Sequence, residues 1–439
     1  MWPTAFIERL NASLSPEEIP LLLAALETPP AISVRLHPKK TPESLAFSSL
    51  LDGVVPWCPQ GRYLSSRPSF TLDPLFHGGT YYVQEAASMS IWQLEPYMHP
   101  GIKVLDACAA PGGKSTLLLD LIPPDGLLVC NEPIGSRVPI LAENISKWGY
   151  ANALVTRNDP ADFARLPGFF DMVLIDAPCS GEGMFRKDVR ARQEWSPENV
   201  SLCAARQRRI LSDVWPCLRP GGVLAYSTCT FNRAEDEEQV DWLCQTLGAR
   251  VVLAPQHYYP HLTRGEGFFL AAVEKDGPKG ERCAPRERAI PKGTPAPKDA
   301  PRPLQGAYTY AMNGSLLKAF PSAQYSSIQY LHTLLNGLHS GIAVATLKGK
   351  DWIPEADLAL ATDLRPDAFP TFEASLPQAL SFLRREALTV PPSAPKGYLL
   401  VTYQSHPLGF VKNIGTRTNN LYPPARRIQM TASPSEGII

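Results

Sequence analysis

The sequence predicts an α/β fold: a mostly parallel sheet with helices on both faces, flanked by a smaller module at each end. Three observations carry that reading. Apolar runs of strand length alternate with helical stretches from about residue 73 to residue 276, which is the pattern of βαβ units. A turn of small residues, Cys108-Ala109-Ala110-Pro111-Gly112-Gly113, follows the first run and opens a helix. Two cysteines, Cys179 and Cys229, each follow a later apolar run. In an open α/β sheet, chemistry collects at the carboxyl ends of strands.

Bulk properties agree. A chain of 439 residues with 44% hydrophobic residues can bury several cores, and its length argues for two to four domains. Its 45 prolines point to many turns and a linker. Formal charge is zero, so any polyanion must be met by a local patch. The nine cysteines contain no CxxC pair, and neither a disulfide framework nor a zinc or other metal site is indicated. There is no basic-then-apolar leader pattern and no apolar run of membrane-spanning length. A soluble, cytoplasmic protein with no membrane partner is expected.

Taken in order, residues 1–72 form a small α/β module. Pro16-Glu17-Glu18 starts a helix that ends near Leu26, with Ser15 as its N-cap. Ile32–Leu36 alternates like a strand. In the domain spanning 73–275, strands are expected at Ile102–Ala107, Leu127–Glu132, Ala153–Thr156, Asp171–Asp176, Gly222–Ser227 and Gly267–Val273. Helices are expected at Gln84–Leu94, Lys114–Leu121, Val138–Trp148 and Asn199–Cys217. Residues 276–305 are rich in proline and charge, which marks a linker. Residues 306–390 form an α+β region with a helix at Ser326–Leu338, and 391–439 a β-barrel-like module with a basic tail.

Each motif has a chemical and a bland interpretation. The small residues from Cys108 to Gly113 let a ligand approach the backbone, and the helix opening at Lys114 favours negative charge; the bland alternative is a tight turn. The stretch is neither a Walker A loop, which needs glycine where Cys108 stands, nor GxGxxG. Glu132 ends the next strand about twenty positions on, where an acid accepts hydrogen bonds from ribose hydroxyls. Asp159, after the third strand, is a candidate for an adenine contact or a turn residue. Free thiols are most often buried small hydrophobes, and that explains Cys130, Cys203, Cys217 and Cys244. It fits Cys179 and Cys229 poorly, because both lie in loops past strand ends. Two thiols there, one beside Asp176, suggest covalent catalysis by a cysteine, without saying which.

The segments CAAPGGK, DAPCSGEGMFRK and YSTCT, in this order and spacing, resemble the RNA cytosine-C5 methyltransferases of the NOL1/NOP2/Sun family. Gln84-Glu85-Ala86-Ala87-Ser88-Met89 is similar to the helix that precedes the family's first strand. Leu408-Gly409-Phe410 and Asn420-Leu421-Tyr422-Pro423 resemble the bacterial F-type enzymes acting on small-subunit ribosomal RNA. The resemblance implies a class I, Rossmann-like domain with a seven-stranded sheet, an N-terminal RNA-recognition module and a PUA-like C-terminal module. It implies S-adenosylmethionine as cofactor, held by Cys108, Ala109, Ala110, Pro111, Gly112, Gly113 and Lys114, with Glu132 on the ribose, Asp159 on the adenine and Arg137 nearby. Cys229 would attack C6 of cytosine, Asp176 would hydrogen-bond the base edge, and Cys179 would assist release. Lys114 would position the base; Asp176 and Lys114 count in both the cofactor and the catalytic set. The substrate implied is small-subunit ribosomal RNA, acted on by a monomer. The competing readings are the same chemistry on transfer RNA and an idle RNA-binding assembly factor.

Phosphates flanking a target base would be met by Arg186, Lys187, Arg190, Arg192, Arg206, Arg208 and Arg209; the bland alternative is a solvated helix face, partly balanced by Asp188, Glu194 and Glu198. Arg417, Arg426 and Arg427 would add a second patch.

Overall fold

The computed structural model describes residues 2–277 and 293–430. The alternation of apolar runs produces one central sheet. Its strands in chain order are β1 Lys103–Asp106, β2 Leu127–Asn131, β3 Ala153–Thr156, β4 Phe170–Asp176, β5 Leu218–Thr228, β6 Ala249–His257, β7 Phe269–Lys275 and β8 Gly337–Ser340. They lie in the order β6-β7-β5-β4-β1-β2-β3-β8. β1 to β5 run parallel, and β7 is antiparallel to both its neighbours.

Strands covered on both faces read as continuous apolar runs, which is why β1, β2 and β4 were legible. Val104, Leu128, Met172 and Leu174 face the helices α1 (Gly113–Leu121) and α2 (Val138–Trp148). Leu105, Val129, Val173 and Ile175 face α3 (Pro197–Val214) and α4 (Glu237–Leu247). Each fully buried Leu or Val stabilises the sandwich by roughly 1.5–3 kcal/mol. α2 begins as expected, with Pro139 in its first turn.

The sheet has eight strands where seven are expected, and two of them lie outside the runs that the sequence marks. β6 is half exposed along its length. β8 comes from the C-terminal region and pairs antiparallel with β3. The helix expected at Ser326–Leu338 therefore covers only Tyr325–Leu334. Leu335 is extended, and the Asn336 N–H donates to Asn158 Oδ1 at 2.9 Å, turning the chain onto the sheet edge.

Local competition explains other departures. Ser15 does not cap the second helix, Glu18–Leu26, through its side chain; the Glu18 carboxylate instead accepts from the Ser15 N–H at 3.0 Å. The segment expected as a helix at Gln84–Leu94 is a 3₁₀ run over Ala87–Tyr97. The Gln84 N–H is taken by Ser33 O, and the Glu85 carboxylate accepts from the N–H groups of Ala87 and Ser88.

The N-terminal sheet takes its fourth strand from Tyr81–Val83, past the boundary at 72. Arg35 pins it to α1: buried, it pairs with Asp120, donates to Thr116 Oγ1 at 2.6 Å and lies over Trp148. The linker expected at 276–305 lies partly outside the described residues. Its described end is folded: Thr294–Pro295 pairs with Tyr308–Asn313 in a five-stranded sheet, and Ala300 and Leu304 are buried. The final module begins earlier than 391, because Thr371–Glu373 pairs in parallel with Gly397–Tyr403 and Phe372, Phe382, Val401 and Val411 share one core.

Candidate active site

The strand order reverses between β1 and β4, and an open α/β sheet binds its ligands at such a point. The loop after β1 is braced from below: the Ala109 N–H donates to Asn131 O at 2.8 Å and the Ala107 N–H to Leu174 O at 2.9 Å. Gly112 has φ +114°, which a residue with a Cβ rarely adopts, and it turns the chain into α1. A cavity of about 520 Å³ opens above this loop, a size suited to a nucleoside-type ligand. Cys108, Ala109, Ala110, Pro111, Gly113, Lys114, Arg137, Asp176 and Cys229 all line it.

Glu132 is buried at the end of β2. Its carboxylate accepts from the Ile134 N–H at 2.9 Å and pairs with Arg137 at 3.2 Å, while Arg137 also donates to Ala110 O at 2.6 Å. Arg137 thus ties the loop after β1 to the end of β2. Asp159 stands apart. Its half-exposed carboxylate accepts from the Ala161 N–H at 3.0 Å and lies 3.8 Å from Arg209, the posture of a helix cap.

β4 and β5 deliver the reactive groups side by side. Asp176 receives Lys114 Nζ at 2.8 Å and Ser227 Oγ at 3.0 Å. The Sγ atoms of Cys179 and Cys229 are 3.3 Å apart, and both thiols are free. Their hydrogen bond together with burial pushes the Cys179 thiol well above its ordinary value. Cys179 is thereby held toward its protonated form beside the second sulfur. Burial pulls the Lys114 ammonium down, but the charges of Asp176 and Cys229 and the Asp176 hydrogen bond outweigh it, and the net shift is upward. A permanent cation thus faces the Cys229 side.

Several residues escaped the sequence reading. Tyr82, Met184, Glu266 and Phe268 line the cavity, and no spacing rule marks them. Asp106, closing β1, is fully buried; burial pushes its carboxyl up to about 7, and only one of its oxygens is bonded, to Ser115 Oγ at 2.6 Å. An acid ending a strand was the available signal.

The basic cluster divides. Arg186 is buried, pairing with Glu266 at 3.5 Å and donating to Gly265 O and Pro29 O. Arg192 pairs with Glu27 at 2.9 Å and stacks over Trp2. Both fasten the N-terminal module and are not available to phosphate. Lys187 lines the cavity, whereas Arg206, Arg208 and Arg209 are exposed on α3. In the second patch Arg417 and Arg427 are exposed, but Arg426 is tied to Ser146 and Asp357.

A Rossmann-like sheet with a small-residue loop at its switch point is the frame of a class I methyltransferase, and the paired thiols lie in the motifs that resemble the cytosine-C5 enzymes. Comparison with known proteins agrees. Residues 92–274 match the model of the 16S rRNA methyltransferase RsmB/F family, residues 2–86 that of the N-terminal domain of 16S rRNA methyltransferase RsmF, and residues 369–428 that of the RsmF PUA domain. Ribosomal RNA small subunit methyltransferase F of Salmonella heidelberg is 34% identical, with 96% of each chain covered; that of an Escherichia coli O127:H6 strain is 33% identical over the same shares. The chain belongs to the 16S rRNA methyltransferase RsmB/F family. Among solved structures, a methyltransferase homologue from Pyrococcus horikoshii superposes with a TM-score of 0.52 at 24% identity, over 62% of this chain and 99% of that one. NSun6 from the same organism, solved with SFG, gives 0.54 at 20%, over 63% and 99%. Both likenesses concern the fold. No described helix is long and apolar enough to cross a membrane.

Proposed function

We propose that the chain transfers a methyl group from S-adenosylmethionine to C5 of a cytosine in small-subunit ribosomal RNA, through a covalent Cys229–C6 adduct. The observation that carries this is the pair of thiols 3.3 Å apart, one of which, Cys229, lines the cavity together with the Lys114–Asp176 ion pair. The cofactor supplies an electrophilic methyl group. The residues present fit it: small side chains bare the backbone from Cys108 to Gly113, and each Glu132 oxygen keeps a lone pair for a ribose hydroxyl. Asp159 would meet the adenine by giving up its contact with Arg209.

C5 of cytosine is a poor nucleophile until a group adds to C6. The Cys229 thiolate forms the S–C6 bond, and the displaced electron density moves to N3, which is neutralised by a proton relayed from solvent through Asp176 and given back when the adduct breaks. C5 then takes the methyl group. Transfer of the C5 proton to a water molecule returns an electron pair that expels the thiolate, breaking the S–C6 bond. Cys179, which holds a proton beside that sulfur, assists this release. The target base must leave its stack to reach the cavity.

With labelled S-adenosylmethionine and deproteinised small-subunit ribosomal RNA, Cys229→Ala should lose methyl transfer by about a thousandfold or more while still binding cofactor. Full activity in that variant would sink the mechanism. Acceptance of methyl by transfer RNA alone would move the substrate to the competing class.

A further inference from the structure

Two buried carboxylates sit behind the thiols, and neither lines the cavity. Glu182 lies on the Cys179 loop and Glu235 on the Cys229 loop. Both are fully buried, at 0% exposure. The Glu182 carboxylate reaches across to the other loop, where it accepts from Thr230 Oγ1 at 2.7 Å and from the Phe231 N–H at 2.8 Å. The Glu235 carboxylate reaches back and accepts from the Ser180 N–H at 2.9 Å. Gln207 fastens this second arm, donating to Glu235 Oε2 at 2.9 Å and to Pro178 O at 3.1 Å. The Asn232 amide joins the arms, donating to Glu182 at 3.0 Å and to Glu235 at 2.8 Å, while its oxygen accepts from the Glu235 N–H.

The chemistry of the partners is one-sided. Ser180 N–H, Phe231 N–H and Trp195 Nε1–H can only donate, and the Asn232 amide is held with its N–H₂ toward both carboxylates because its oxygen accepts from the Glu235 N–H. Acceptors with no hydrogen of their own are required, so glutamine in either place would aim an N–H₂ at a donor. Buried groups so matched fix geometry, and a half-satisfied network is costly. Each arm ends on the residues immediately after one cysteine.

We infer that Glu182 and Glu235 form a crossed clasp of positioning residues: Glu182, on the release-thiol loop, sets Cys229 for attack, and Glu235, on the nucleophile loop, sets Cys179 for release. The inference rests on the roles proposed above for the two thiols.

A crossed arrangement gives a crossed phenotype. In single-turnover reactions of the full-length protein with small-subunit ribosomal RNA, Glu182→Gln should slow formation of the denaturation-resistant adduct by about tenfold or more, because small misplacements of a reacting atom are costly. Glu235→Gln should form the adduct within about threefold of the normal rate but accumulate it. In a Cys179→Ala background Glu235→Gln should change nothing further, whereas Glu182→Gln should still slow adduct formation. Thr230→Val removes one cross-loop donor without touching a buried charge; it should reproduce the Glu182→Gln defect in weaker form and covers the case in which a Gln variant fails to fold. Equal losses in both Gln variants, a reversed pattern, or an additional effect of Glu235→Gln in the Cys179→Ala background would overturn the clasp. If Cys179→Ala alone traps no adduct, the thiol roles have failed and not the clasp.

Discussion

Cys179 and Cys229 leave adjacent parallel strands at the same edge of one sheet, yet their surroundings differ. Cys179 lies among groups that keep it protonated: burial, the neighbouring sulfur and the Glu235 charge all push its thiol up. On the other side, Cys229 shares its field with Lys114, whose ammonium is held charged. Identical residues at equivalent topological positions are thus made unequal by their neighbours. A Pro-Cys dipeptide at the end of β4 names Cys179 as a nucleophile just as readily; the proposed function gives that role to Cys229.

The sharpest way to break this comparison is to remove the release thiol. Cys179→Ala should leave adduct formation near normal and reduce turnover on the order of a hundredfold, consistent with loss of a proton-handling group. A denaturing gel of labelled RNA should show protein–RNA adduct that the unaltered enzyme does not accumulate. If the adduct builds up in Cys229→Ala instead, the two roles are exchanged.

The basic residues offer a second contrast, between arginines that fasten modules and arginines that face solvent. Arg206→Glu with Arg208→Glu should weaken RNA binding and reduce the salt slope by about 2 if both meet phosphates. Arg192→Glu should instead lower thermal stability through loss of its Glu27 pair and its Trp2 stacking. A salt titration and a melting curve for each variant separate the classes. An unchanged slope in the Arg206/Arg208 variant would place that face of α3 in solvent.

What was legible in the sequence follows the same physical division. Strands buried on both faces announce themselves through unbroken apolar runs such as Met172–Ile175, and the thiol loops through polar residues placed just after such runs. β6 was not legible because one side of Ala249–His257 meets solvent and its apolar residues do not stand in a row. β8 was not legible because its place is set by the exposed edge of β3 and by Asn158, residues nearly 180 positions away. The clasp was hidden for a related reason: Glu182 and Glu235 read as ordinary loop acids until the fold brings their donors together. The basic run from Arg186 to Arg209 was visible, but its division into buried and exposed members depends on where the N-terminal helices pack.

Asp106 extends the comparison of buried acids, because unlike Glu182 and Glu235 it is under-supplied with donors. One oxygen is unpartnered, and burial pushes its carboxyl from 3.8 up to about 7. A folded-state pKa above the unfolded one means the native protein holds a proton that the unfolded chain has released. Stability associated with Asp106 is therefore fully present below about pH 4 and is lost as pH rises toward 7, at up to about 1.4 kcal/mol per pH unit. Asp106→Asn keeps the shape and removes the titration. The difference in unfolding free energy between the two proteins should grow in favour of the asparagine variant from pH 4 to 7 and level off above it. Glu182→Gln and Glu235→Gln should be destabilising at neutral pH, because every carboxylate oxygen there meets a donor, even though burial pushes both carboxyls up as it does that of Asp106. A pH-independent difference for Asp106→Asn would mean that its free oxygen finds a donor in solution, and the contrast between matched and unmatched acids would fall.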